Sequence, residues 1–222
     1  MNPLLKVDFH CHSNYSSDSL SNIRGLERAA RKAGLDRLVI TDHNKIKGAV
    51  EARKTNPDLF IVGEEIKTVK GELLAIFVQE EVPADLTPEE TIRLLRDQGA
   101  YISVSHPFDP YRGWKRRDLE EIAHLIDAVE VFNSRCFAKE MNDKAGIFAR
   151  DYGLGGTIGS DAHLLSEVGS SYLELPDFYD AATLKEVILS GIPHTTRSSP
   201  MVRLGSRFAL AVKSLSGRSL EN

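Results

Sequence analysis

Short β-branched runs alternate with helical stretches along this chain, and most of the runs are followed within two residues by a histidine or a carboxylate. The runs are Leu5–His10, Arg37–Thr41, Leu59–Glu64, Leu73–Val78, Tyr101–Ser105, Ala128–Phe132, Gly156–Ser160 and Ser171–Leu175. Helical periodicity lies between them, as in Ile23–Lys32, Pro88–Gln98, Leu119–Leu125, Ala138–Tyr152 and Ala181–Ser190. Such alternation predicts an α/β fold with a largely parallel sheet. Local signals agree with it. Thr87 before Pro88 is an N-cap followed by proline at the first helical position, and Gly34 and Gly99 sit where helices should end. The stretch Val69–Glu72 reads as a turn between two strands, hence a hairpin. Residues 198–215 are expected to form a last helix and Arg218–Asn222 a frayed end. A length of 222 residues suits one domain, with enough chain to bury a core.

The residues just after each run carry the chemistry. His10 and His12 follow the first, with Asp18 close behind; Asp42 and His43 follow the second; Glu65 follows the third and His106 the fifth. Asn133 and Arg135 come after the sixth, Asp161 and His163 after the seventh. In a parallel α/β sheet or barrel the C-terminal strand ends share one face, so groups spread from position 10 to 163 are expected to meet there. Imidazoles mixed with carboxylates suit Zn, Mn or Fe, and this many donors suits more than one ion. His10 and His12 are two apart on a strand and point the same way, with Cys11 pointing the other. A carboxylate such as Glu65 or Asp161 can bridge two ions, and two ions can activate water for attack on a phosphoryl group.

Composition narrows the field. Hydrophobic residues make up 41% and charged residues 27%, with a net charge of −4, an ordinary globular balance. No apolar run reaches the roughly 18 residues needed to cross a bilayer, and the N-terminal MNPLLKVDFHCH is not a secretory signal. Two cysteines imply no disulfide framework, so a cytoplasmic location is the expectation. A mildly acidic chain is not built for wholesale binding of nucleic-acid backbone, and a nucleic-acid role needs a local basic patch.

Taken in order, Asp8-Phe9-His10-Cys11-His12, Thr41-Asp42-His43, Gly63-Glu64-Glu65-Ile66, Ser105-His106-Pro107 and Gly159-Ser160-Asp161-Ala162-His163 resemble the motifs of the PHP superfamily, the polymerase and histidinol phosphatase domain. The resemblance implies a distorted seven-stranded β/α barrel, a centre of two or three divalent ions, and hydrolysis of phosphate esters. The ligands it carries over are His10, His12, His43, Glu65, His106, Asp161 and His163. Glu65 is taken rather than Glu64, because the family's glutamate directly precedes the isoleucine, here Ile66. Asp18 matches a position that is histidine in some members and aspartate in others. Asn133 stands where several members place a further histidine or cysteine, as a weak ligand or a support for one.

Other residues have plainer readings beside functional ones. Asp42 is expected to orient a metal-bound neighbour. Arg135 is expected to clamp a phosphate oxygen, with a surface ion pair as the plain alternative. His194 and Arg197 are candidates for touching the substrate, and His163 for protonating the leaving group. Glu64 and Glu72 read as solvated or locally paired charges, and His124 as a surface or packing residue. The run Arg112–Arg117, with Trp114 inside it, reads as a nucleotide-stacking patch or a solvated basic loop. Cys11 and Cys136 read as packing residues. The expected activity is hydrolysis of a small phosphorylated metabolite or nucleotide by water activated on the ions. The alternatives are a nuclease trimming DNA or RNA ends, hydrolysis of a C–N bond, and a non-catalytic barrel that binds a partner.

Overall fold

The structure is a computed structural model that describes residues 3–215, so the expected frayed end Arg218–Asn222 lies outside the described residues. The strands are β1 (Leu5–Cys11), β2 (Arg37–Ile40), β3 (Phe60–Lys67), β4 (Glu72–Ile76), β5 (Tyr101–Val104), β6 (Ala128–Asn133), β7 (Gly155–Gly159), β8 (Tyr172–Leu175) and β9 (Ile192–His194). The helices are α1 (Ile23–Ala33), α2 (Lys47–Thr55), α3 (Pro88–Asp97), α4 (Arg116–Ile122), α5 (Lys139–Tyr152), α6 (Ala181–Val187) and α7 (Val202–Leu215). The sheet runs β7-β6-β5-β4-β3-β2-β1-β8-β9. Strands β1, β2 and β3 are mutually parallel, as are β5, β6 and β7. The hairpin expected around Val69–Glu72 makes β4 antiparallel to both β3 and β5. Thr68 closes its turn by donating N–H to the Gly71 carbonyl at 2.8 Å.

The sheet curls until its two ends meet. The first half of β1 pairs with β8, while its last residues meet the chain after β7: Cys11 bridges Ala162, and Asp161 donates its N–H to the His10 carbonyl at 2.9 Å. The product is a nearly closed, barrel-shaped sheet of mixed α/β type. Inside it, Val7, Val39, Ile61, Ile76, Tyr101 and Ala128, one from each of six strands, form a buried cluster with Phe178 and Leu184. Outside, Leu38, Ile40, Phe60, Val62, Leu73 and Val104 pack on Leu26, Leu95 and Phe148 of the helices. Burying one such side chain contributes about 1.5–3 kcal/mol, so the two layers supply the driving force for closure.

The helices begin and end where their sequence says. Asn22 accepts the N–H of Gly25 at the start of α1, whose Ile23, Leu26 and Ala30 are buried on one face. Gly34 closes α1 in the left-handed region at φ 70°, where a side chain would be strained. Thr87 and Glu90 form a reciprocal capping box on α3. Two elements were not among those expected. Helix α2 has no side-chain cap and few large apolar residues, burying only Gly48, Ala49 and Ala52. Strand β9 is three residues long and contains Pro193, a residue that argues against a strand except at a sheet edge, where β9 lies. The last helix starts at Val202, and Lys213 anchors it by donating to the carbonyls of Asn14 and Ser16 beside the barrel mouth.

Candidate metal centre

Two β-bulges aim the centre. Val7 and Phe9 face the barrel interior, so strict alternation would turn His10 and His12 outward. Between Asp8 and Cys11 the register with β2 slips by one residue; Cys11 then joins the outer layer and the two histidines turn inward. A second slip between Glu130 and Phe132 of β6 brings both Glu130 and Asn133 to the inside. On β3 alternation is undisturbed. Glu65, opposite Leu74, faces inward, and Glu64, opposite Ala75, faces the helix layer.

The expected ligands converge. Nε2 of His10 and of His12 lie 3.0 Å apart, and each is within 3.4–3.6 Å of Glu65 Oε2 and Asp161 Oδ1. His43 Nδ1 is 3.0 Å from Glu65 Oε2, and His106 Nε2 is 3.2 Å from Glu65 Oε1. Asp18 Oδ2 lies 2.9 Å from His163 Nε2 and 3.6 Å from His43 Nε2. Three overlapping groups have donor atoms close enough to share a cation: His12–His43–His163, His10–His12–Asp161 and His43–Glu65–Glu72.

The donor chemistry fits divalent ions. His10 Nδ1 lies 2.9 Å from Glu130 Oε1, His12 Nδ1 3.0 Å from Ser16 Oγ, and His163 Nδ1 2.8 Å from the Asp161 carbonyl. Each of these partners can accept a hydrogen bond from Nδ1–H, the tautomer that leaves the Nε2 lone pair facing the centre. Ser16 Oγ in turn donates to Asp42 Oδ1 at 2.8 Å, so Asp42 orients His12 through one hydroxyl. Glu65 Oε2, Asp161 Oδ1 and Asp18 Oδ1 are buried with no hydrogen-bond donor. Orphaned carboxylate oxygens facing imidazole lone pairs are costly unless a cation lies among them. Tetrahedral coordination at about 2.0–2.2 Å separates ligand atoms by about 3.4 Å, the spacing found here.

The fields on the groups differ across the centre. Burial pushes His10 down, but the carboxylates of Glu65, Asp161 and Glu130 outweigh it and hold the ring well above its usual range. His12 is pushed well below, by burial and then by His163 and His43. Burial opposes ionisation of Asp161, yet Arg112 and His10 keep it well below the usual carboxylate range. The carboxylate side of the centre, around His10 and Asp161, therefore favours positive charge, whereas the side where His12 meets His43 and His163 disfavours it. The backbone of the centre is strained: His106 and Asp161 sit at φ 25° and 53°. Gly159 is required, since a Cβ there would lie 2.3 Å from His10 Cβ and 2.6 Å from Glu130 Oε1.

Several expectations need correcting. Arg135 is buried and holds Glu167 through two bonds, of 2.8 and 2.6 Å, with its third arm on Ser206. Its effect on the site is indirect, because Glu167 Oε2 accepts the N–H of His163. The arginine that touches the ligands is Arg112, whose Nη1 donates to Asp161 Oδ2 at 3.0 Å. Trp114 is buried, its indole donating to the Glu72 carbonyl, so it offers no stacking face. Of the two readings of Asn133, the hydrogen bonds match the support: its Nδ2 donates to Glu130 and Asp161, and its Oδ1 accepts the N–H of Arg135. His194 stacks on Tyr172 and lies 3.3 Å from Glu174, while Arg197 is exposed beside a hollow it shares with Arg135 and Arg203. Glu130 was not anticipated. It lies in mid-run, and only the bulge and its bonds to His10 and the His106 N–H reveal it.

Glu64 is not solvated either. It is fully buried, Val82 donates to its Oε2, and its Oε1 has no partner. Burial pushes its pKa up to about 8. The folded state thus holds the proton more tightly than the unfolded chain, whose ordinary value is 4.5. Stability contributed by the protonated form is full below pH 4.5 and is lost as pH rises to 8, by an amount on the order of 5 kcal/mol at most. Denaturant melts of Glu64→Gln and the parent across this range should show the decline flattened in the variant; parallel curves would count against it.

Comparisons with known proteins place this geometry. Residues 8–95 match the PHP domain family and residues 139–191 the PHP-associated family. An uncharacterised protein of Methanocaldococcus jannaschii is 39% identical over 181 residues, covering 78% of this chain and 71% of its own length. A Bifidobacterium adolescentis protein named as a metal-dependent phosphoesterase superposes with a TM-score of 0.62 at 19% identity, covering 84% of this chain and 96% of that one. The lesion-specific endonuclease EndoQ of Pyrococcus furiosus also gives 0.62, at 17% identity, over 84% of this chain and 56% of its own. These two solved structures share the fold. Among the described residues no helix is long and apolar enough to cross a membrane.

Proposed function

The chain belongs to the PHP domain family, and from that premise we propose that it is a metal-dependent phosphoesterase acting on a small phosphorylated metabolite or nucleotide. The observation that carries this reading is the set of orphaned carboxylate oxygens and inward imidazole nitrogens beside Arg112. His10, His12, Glu65 and Asp161 would hold one ion, and Asp18, His43 and His163 a second. When bound, divalent ions of Mn, Zn or Fe type supply Lewis-acid chemistry, lowering the pKa of water from 15.7 to around 7 and neutralising charge on phosphoryl oxygens.

The chain's own groups do the rest. A cleft of about 320 Å³ opens from Asp18 and His163 past Arg112 to Arg203 and Arg207. Its size suits a phosphoryl group with a modest leaving group. Arg112 is one-third exposed at that mouth and keeps donors to offer a non-bridging oxygen. His163 borders the cleft, where it can orient the leaving oxygen or protonate it.

The test is metal content by elemental analysis of protein produced with Mn, Zn and Fe available, followed by a phosphate-release screen over sugar phosphates and nucleotides. Two or three ions per chain, with release abolished by a chelator and restored by one of the metals, is the expected result. Protein that takes up no ion refutes the reading and returns the chain to a binding barrel. A nucleic-acid end is the second reading, favoured by Tyr111 and Phe137, which are 89% and 67% exposed, with Arg203 5.4 Å above the Phe137 ring. Hydrolysis of single-stranded oligonucleotides that falls steeply with salt would select it.

A further inference from the structure

At the end of the barrel away from the metal centre lies a hollow of about 730 Å³, a volume typical of small-molecule sites. It opens where β4 ends, between the last turn of α2, the end of α3 and the start of α6. Val50, Val62, Phe77 and Val78 give it an apolar wall. Phe77 is the strained point of that wall, held at φ 67°, a left-handed conformation that bulky residues rarely take. The N–H groups of Phe77 and Val78 both donate to the Val62 carbonyl, at 2.8 and 3.3 Å, and fix the turn. The Phe77 ring stands edge-on to Phe178, with centroids 6.1 Å apart, and lines the hollow.

The rim carries polar groups that the fold leaves unused. Arg53 and Lys54 stand on it, and neither side chain has an ion-pair or hydrogen-bond partner among the described residues. The last turn of a helix favours cations, but that accounts for neither the hollow nor its other lining. Asp180, the lining carboxylate, does not neutralise them: it caps α6, accepting from the N–H and the hydroxyl of Thr183. Tyr179 is 78% exposed at the edge. Gln98 Oε1 accepts the N–H groups of Gln79 and Glu80, and Gln79 Nε2 donates to the Gln98 carbonyl. That leaves Gln98 with amide donors and Gln79 with an acceptor oxygen, neighbours on the lining and without other partners among the described residues.

We propose that this hollow is a second ligand site, which takes a nucleoside monophosphate. The base lies against the rings of Tyr179 and Phe77, the Gln79 and Gln98 amides read its edge, and Arg53 and Lys54 hold its phosphate. Each part of such a ligand answers a feature of the lining. A planar ring suits aromatic and aliphatic walls, a donor beside an acceptor matches a base edge, and two cations match a phosphate. The inference goes beyond the phosphoesterase reading and does not depend on it, since no residue of the hollow belongs to the metal centre.

The test is titration calorimetry on the full chain with AMP, GMP, CMP and UMP, repeated on two double variants. One is Arg53→Ala/Lys54→Ala, whose positions are exposed, so the fold should hold. The other is His10→Ala/His12→Ala, which disables the metal centre. At least one nucleotide should bind the parent and the centre variant alike, and bind the Arg53→Ala/Lys54→Ala protein about tenfold or more weakly. The matching nucleoside and ribose 5-phosphate should each bind more weakly than the nucleotide, and Tyr179→Ala should weaken the nucleotide too. Binding that survives Arg53→Ala/Lys54→Ala, or that vanishes with the centre, overturns the inference and leaves the phosphoesterase reading standing. No binding of any of the four nucleotides overturns it as well. So does ribose 5-phosphate that binds as tightly as the nucleotide, because the base then contributes nothing.

Discussion

The His10→Ala/His12→Ala protein is expected to release phosphate more than about a thousandfold more slowly than the parent, a barrier increase of about 4 kcal/mol. Both imidazoles are fully buried, with Nε2 atoms 3.0 Å apart and Glu65 and Asp161 as common neighbours, so removing them leaves two carboxylates facing each other. With two of its four donors gone, the ion would keep only the two carboxylates, too few to fix it in place, and the loss should appear first as metal content. The fold should persist. The interior cluster of Val7, Val39, Ile61 and Tyr101 lies apart from these rings, and the hydrogen bonds joining β1 to the chain after β7 are made by backbone. Three measurements settle the outcome: phosphate release, ions per chain and far-ultraviolet circular dichroism. A folded double variant with full activity would sink the proposed mechanism.

Arg112→Ala is expected to lower kcat/KM by roughly 10²–10³, the usual effect of removing one donor aimed at developing charge. The loop that presents Arg112 is built for placement. Asp109 Oδ1 accepts the N–H of Tyr111 and of Arg112, and Gly113 donates to the Asp109 carbonyl at 2.8 Å. A Cβ on Gly113 would lie 2.5 Å from that carbonyl oxygen, so the turn admits glycine alone. One edge of the guanidinium meets Asp161 and the rest borders the cleft. Arg112→Lys should restore the charge but not the planar fork, and recover only part of the loss. If Arg112 merely steadied Asp161, the variant would lose metal affinity while inhibition by inorganic phosphate stayed unchanged. Retained metal with weakened phosphate inhibition is the signature of direct contact.

Those two arginines and two glutamates show how far a sequence reaches. Arg135 stands beside a motif and Arg112 in a run that reads as a stacking patch or a solvated basic loop, yet the first is locked to Glu167 and the second lies on the ligands. Glu64 and Glu72 look alike in sequence. One is buried against the helix layer and the other opens toward His106. Their fates depend on which face of a strand they occupy and which way that strand runs.

Local chemistry determined the rest. Alternating apolar runs gave strands because period-two burial is a property of neighbouring residues, and the caps at Asn22, Thr87 and Gly34 act within four residues. The ligands were legible because imidazoles and carboxylates recur at strand ends, and parallel strands place those ends on one face whatever the helices do. Tertiary structure alone decided what depends on contacts between distant segments: the bulges that turn His10 and Glu130 inward, Asn133 as a support, and the pairing of each arginine. Composition and spacing carry no record of such contacts, because a one-residue slip or a reversed strand changes a side chain's neighbours without changing its place in the sequence.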